Sequence, residues 1–137
     1  MSQANVELLR RGIDEMNRVG LSEANVGLLN VGLYYHPEVA FLPRRSATEG
    51  TYHGTAGIES FIVDTREVFE KFEMHCDFLD LGERVLAWGV IHVRARASGI
   101  ETDIATGGVY DFRDGKIVRW EDFGDKNKAL KAVGLEE

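Results

Sequence analysis

A single cysteine, Cys76, is all the thiol chemistry that 137 residues carry, so an internal disulfide is excluded. A lone thiol is also compatible with a reducing compartment. No apolar run approaches the roughly 20 residues needed to cross a bilayer, which excludes a spanning helix. The N-terminal "MSQANVELLRRGIDEMN" interrupts itself with charges every few residues and offers no apolar h-region of a signal peptide. Basic residues are in deficit as well: 16 Lys and Arg stand against 23 Asp and Glu, a formal charge of −7. With no basic stripe to meet phosphates, a nucleic-acid partner is excluded. These absences describe a cytoplasmic protein with no membrane partner.

What is present fits that class. The chain is 44% hydrophobic and 28% charged, an ordinary globular balance. Its length suits one domain spanning 1–137, with enough residues to bury a core.

The first half reads helical. Val6, Leu9, Ile13 and Met16 step by three and four, laying one apolar stripe along an N-terminal helix. Ser22 can cap a second helix over 23–33. Pro37 turns the chain out of helix, and "EVAFLP" reads as a short strand. A polar loop, "RRSATEG", leads to a short strand at "TYH". Thr55 can cap a third helix, whose Ile58, Phe61, Ile62, Thr65, Phe69 and Phe72 keep helical spacing.

The second half reads as strands. "FEMHCDFLDL" alternates apolar and polar residues, and longer strands follow over 84–97, 100–113 and 116–123. Turns at "GE" (82–83), "SG" (98–99) and "DG" (114–115) join them, the last being the strongest hairpin signal. Asp125 caps a short C-terminal helix, and Gly134 stops it. Helices followed by an antiparallel meander imply an α+β fold.

Two-residue turns fix a register. Arg96 should face Glu101, Arg94 should face Asp103, and Tyr110 should face Arg119. One sheet face then holds Val85, Ala87, Ile91 and Val93 with Thr106, Gly108, Tyr110 and Phe112, and the helices should cover it. "HVRARA" falls on the outer face, where Arg94–Asp103 and Arg96–Glu101 form cross-strand ion pairs. The same register puts Arg119 and Glu121 on the inner, apolar face. There they either pair with each other near the rim or orient a ligand beside Tyr110 and Thr106. Trp88 and Trp120 fall outside, with Leu86, Val90, Val109 and Val118. So large an apolar patch predicts a homodimer through the outer sheet face.

The order of elements resembles the cone-shaped nuclear transport factor 2-like fold, in particular its SnoaL-like branch. The residues that carry the resemblance are "YYHPEVAF", "YHGTAGIESF", "DLGERVLAW", the "SG" turn, "YDFRDGKIVR" and "ALKAVGLEE". It implies three N-terminal helices packed on a curved, mostly antiparallel sheet in a cone-like barrel, with a short C-terminal helix. The branch includes polyketide cyclases and relatives of ketosteroid isomerase. Their catalytic carboxylate and oxyanion groups would fall at Leu42 and near Gly12 and Gly108, where this chain has none.

The expected function is therefore binding of a compact hydrophobic metabolite, with no cofactor. Isomerase, cyclase or hydrolase chemistry would use Glu121 or His53 as acid or base, with Arg119 and Tyr110 orienting. Thr106, Phe41, Met74, Ile91 and Phe123 complete the expected ligand-binding wall. A non-catalytic ligand-binding or assembly module is the alternative. The histidines lack metal-ligand spacing with each other and with Cys76, which reads as a small core residue.

Overall fold

The computed structural model describes residues 2–19, 31–43 and 50–135. Their elements run α1 (Ser2–Val19), α2 (Val31–Tyr34), β1 (Tyr35–Leu42), β2 (Tyr52–His53), α3 (Gly54–Val68), β3 (Phe69–Asp80), β4 (Arg84–Ala95), β5 (Glu101–Arg113), β6 (Lys116–Asp122) and α4 (Lys126–Ala132). The strands form one six-stranded sheet in the order β2-β1-β6-β5-β4-β3. Every pairing is antiparallel except β1 with β6. The sheet stays open, with β2 and β3 as its edges, so the expected barrel is a curved sheet that does not close. No described helix is long and apolar enough to cross a membrane.

The apolar stripe of α1 does what its spacing requires. Leu9 is buried, and Val6, Ile13 and Met16 pack on the core around Val39, Phe41, Ile58, Val85, Phe112 and Ile117. Most of the expected second helix, and the "RRSATE" part of the expected loop, lie outside the described residues. The third helix starts one residue before Thr55, with His53 rather than Thr55 at its N-cap. It ends at Val68, so Phe69 and Phe72 belong to β3 despite their helical spacing. Sheet pairing decides this boundary: Phe69 pairs with Ala95, and the Arg96 amide donates to the Val68 carbonyl at 2.9 Å.

Two of the three registers differ from the expected ones, with opposite consequences. The β4–β5 connection spans four residues, closed by the Ala95 amide on the Ile100 carbonyl at 2.9 Å. His92 therefore faces Asp103 and Arg94 faces Glu101, two residues from the expected pairing. An even shift leaves every side chain on its face. In the last hairpin, Asp114 and Gly115 have φ of 55° and 76°, the two-residue turn that Asp-Gly favours. Phe112 then pairs with Ile117, as expected. The next pairs are Asp111–Arg119 and Tyr110–Trp120, so Val118 is an extra residue in β6. This β-bulge is an odd shift, and it exchanges the two faces of the strand beyond it.

The exchange corrects four placements. Arg119 and Glu121 lie on the outer face, bonded to each other at 3.0 Å, with side chains 48% and 30% exposed. Phe123 joins a second apolar cluster on that side, where α4 covers Leu86 and Val109. Trp120 turns inward, so it cannot anchor a dimer through the outer face. The patch expected to hold a partner thus loses Trp120 to the interior and Leu86 and Val109 to α4. Trp88 stays outside, beneath the Lys126 ammonium, 4.8 Å from its ring centre.

Candidate functional site

β1, α3 and β6 bring their aromatic residues together under the helices. The Trp120 indole is stacked between Phe41, at 3.9 Å between ring centres, and Tyr110, at 5.2 Å. Phe41 stacks in turn on Tyr52 at 5.9 Å. Phe61 from α3 meets Phe41 and Trp120 edge to face, at 4.7 and 5.9 Å. Gly108 makes room for the indole: a Cβ there would stand 3.1 Å from Trp120 Nε1.

Two cavities meet at this stack. The inner one, about 70 Å³, lies under α1 and α3 between Leu9, Ile58 and Ile62 and the tyrosines Tyr35 and Tyr110. Burial raises the pKa of both phenols, and for Tyr110 the neighbouring Tyr35, Cys76 and Asp122 add to it. Both hydroxyls therefore remain protonated at neutral pH. The outer one, about 380 Å³, opens at the mouth of the sheet and has the size of a small-molecule site. Phe41, Phe61, Phe69, Phe72 and Trp120 give it aromatic walls, and Met74, Ile91 and Ile104 aliphatic ones. Its polar lining comes from Thr106 and Asp122. Phe61, Met74 and Trp120 border both cavities.

Asp122 is the residue that sequence reasoning missed. It faces Gly108 across the hairpin, on the row that the bulge turns inward, and its carboxylate accepts the Gly124 amide at 2.9 Å. A signal for the bulge was present. An unbroken register buries an arginine and a glutamate while exposing a tryptophan, the reverse of their ordinary preferences.

The other expected site residues separate into two groups. Phe41, Met74, Ile91 and Thr106 line the mouth pocket, and Tyr110 lines the inner cavity. Arg119, Glu121 and Phe123 are on the far side of the sheet. His53 is exposed at the start of α3 and lines neither cavity, because its backbone pairing with Ala40 sets it beyond the rim. Cys76 packs on the main core, and burial, aided by Asp77, pushes its thiol up to about 11. It is accordingly an unreactive core residue. Among the described residues, no group of His, Cys, Asp and Glu could hold a metal ion.

The family model of the SnoaL-like domain matches residues 30–120, and the chain belongs to that family. Solved structures agree on the fold. An NTF2-like protein of unknown function from Burkholderia pseudomallei K96243 is 22% identical, with a TM-score of 0.73 over 96% of this chain and 98% of that one. TerC, co-crystallised with polyporic acid, is 23% identical, with a TM-score of 0.72 over 96% and 97%. A candidate SnoaL-like polyketide cyclase from Jannaschia sp. CCS1 is 18% identical, with a TM-score of 0.74 over 96% and 90%. No curated protein matches the chain.

Proposed function

We propose that the chain binds a compact, largely apolar small molecule in the mouth pocket and exchanges a proton with it through Asp122. The observation that carries this is the β6 bulge, which sets one carboxylate into a pocket whose other described lining is aromatic and aliphatic apart from Thr106. Such a pocket buries most of a small ligand and fixes it with few polar groups. A single carboxylate suffices for an isomerase-like proton transfer, because the group that removes a proton from one atom can return it to another. Hydrolysis would ask for a second acid or base, and no other ionisable side chain lines the mouth among the described residues. The complex of TerC with polyporic acid and the cyclase naming of the Jannaschia protein support a small-molecule role.

Substitution of Asp122 by Asn tests the reading, since it keeps the shape and removes the charge. A ligand retained through purification and identified by mass spectrometry should still bind, while its turnover should fall by about 100-fold or more. Turnover that survives unchanged would overturn Asp122 as the proton carrier, and a ligand that the native chain binds without turnover would leave the non-catalytic binding module as the reading.

A further inference from the structure

The inner cavity carries two hydrogen-bonding groups that the fold itself does not use. Tyr35 and Tyr110 reach it from β1 and β5, on either side of the Trp120 indole of β6. Tyr110 is only 3% exposed, yet neither hydroxyl makes a hydrogen bond among the described residues. No enclosed polar side-chain atom among those residues lacks a partner. The two oxygens are therefore not sealed into the core but border open space, and the space these side chains line is the cavity. Tyr34 lines it as well and differs, because its hydroxyl donates to Glu15 at 3.2 Å. We infer that the inner cavity is a subsite for a neutral carbonyl group of about acetyl size, whose oxygen accepts from Tyr35 and Tyr110. This goes beyond the mouth pocket and does not rest on Asp122 or on its proton transfer.

A phenol buried without a partner is costly, and phenylalanine would pack both positions without that cost. Water meets the need poorly. An enclosed water wants about two to four polar partners of its own, and the described wall is mostly apolar, with Leu9, Ile58 and Ile62 prominent. An acetyl group divides as the cavity does. Its oxygen offers two lone pairs to two O–H donors, and its methyl suits the aliphatic wall. At about 70 Å³, the cavity has about half the volume of one that takes benzene, which sets the size of the group. A carboxylate or phenolate would also accept from the hydroxyls, but the described wall leaves its charge uncompensated. The neutral carbonyl meets both donors and brings no charge with it.

The test uses the full chain with labelled isoleucine methyl groups, so that NMR reports on the two cavities separately. Ile58 lines the inner cavity and Ile104 the mouth pocket. Acetone and its hydrocarbon isostere isobutene are titrated, and acetophenone stands for a carbonyl at the end of a longer ligand. Acetone is expected to shift Ile58 and to leave Ile104 in place. Acetophenone that shifts Ile58 as well as Ile104 assigns the acetyl group to a longer ligand lying in the mouth. Without a shift of Ile58 by acetophenone, the subsite serves free small ketones alone. Tyr35→Phe and Tyr110→Phe keep the rings, so Tm should not fall, while each should lower the preference for acetone over isobutene about 10-fold. A preference that neither variant changes would overturn the carbonyl subsite. So would a clear fall in Tm, which would show the hydroxyls bonded within the fold. An Ile58 methyl that ignores both ketones would overturn it too, as the result for a cavity holding only water. Each of these leaves the mouth pocket standing, since Ile104 reports on it separately.

Discussion

Asn17 on α1 holds Met74 on β3 by both ends of its amide. Its Nδ2 donates to the Met74 carbonyl at 2.7 Å, and its Oδ1 accepts the Met74 amide at 2.9 Å. β3 is an edge of the sheet, so these backbone groups point away from β4 and have no strand to pair with. The side chain stands in for one and fixes the helix over the pocket. Substitution of Asn17 by Ala should cost about 1–3 kcal/mol, because it leaves a partly buried donor and acceptor unmade. Urea denaturation measures the loss, and faster amide exchange at Met74 should accompany it. Unchanged protection at Met74 would count against the role.

The bulge in β6 is checked by a contrast between neighbours. Trp120→Ala removes a ring stacked on both sides and should cost about 3–5 kcal/mol. Glu121→Gln breaks an outward ion pair and should cost less than about 1 kcal/mol. The unbroken register expects the reverse order, so two equilibrium unfolding curves distinguish the arrangements.

Arg94 and Arg96 are alike in sequence and unlike in role. Arg94 lies between Glu101 at 3.2 Å and Glu70 at 3.5 Å, a solvent-exposed network. Arg96 instead donates to the Arg66 carbonyl at 2.9 and 2.7 Å and to the Phe69 carbonyl at 3.4 Å. A cation on the last carbonyls of a helix stabilises its end. Arg96→Ser should therefore cost about 1 kcal/mol and fray the end of α3, with faster amide exchange there. Arg94→Ser should leave that exchange unchanged.

His92 gives stability a pH dependence whose sign is fixed by its partners. Its Nδ1 lies 2.6 Å from Asp103 and its Nε2 2.7 Å from Glu101. The bonds to Asp103 and Glu101 raise its pKa above the ordinary 6.5, against smaller opposing effects from desolvation and then from Lys71. The bonds from His92 and Arg94 lower that of Glu101 below 4.5. A raised histidine stabilises the fold fully below its unfolded pKa, and that contribution is lost as pH rises through the folded value. For a lowered carboxylate the contribution is present above the unfolded value and lost as pH falls. The native chain should thus exceed His92→Gln in Tm most clearly between about pH 4.5 and 6.5. The difference should shrink above that window. A constant difference from pH 5 to pH 9 would show that the histidine acts through packing alone.

The fold was legible wherever a local rule and the sheet agreed. Asp114-Gly115 marked its hairpin, and Asp125 caps the last helix by accepting the Lys128 amide at 2.9 Å. The faces of β4 and β5 were legible although their pairing was not. Alternation survives an even shift, and the number of residues in the 96–99 turn altered only which neighbour each residue met. Of the candidate site, the places of Phe41, Met74, Ile91 and Thr106 around the mouth pocket were legible, because these residues lie on regular alternation. It was lost beyond Val118, because a bulge is chosen by burial on both faces of the sheet at once. No propensity of Val118 or Arg119 announces it. Only the misfit of a buried Arg119 with an exposed Trp120 pointed to it, and that misfit was equally readable as a charged ligand site.

The unpaired Val118 also governs how this chain should be aligned with its relatives. A homologue whose last strand runs without a bulge needs a one-residue gap opposite Val118. Aligned without that gap, its inward positions would be set against Arg119 and Glu121, and those pointing outward against Trp120 and Asp122. Two pockets of the same chemistry would then look unrelated, and two of different chemistry could look shared. Transfer of function across the final hairpin therefore turns on the placement of a single gap.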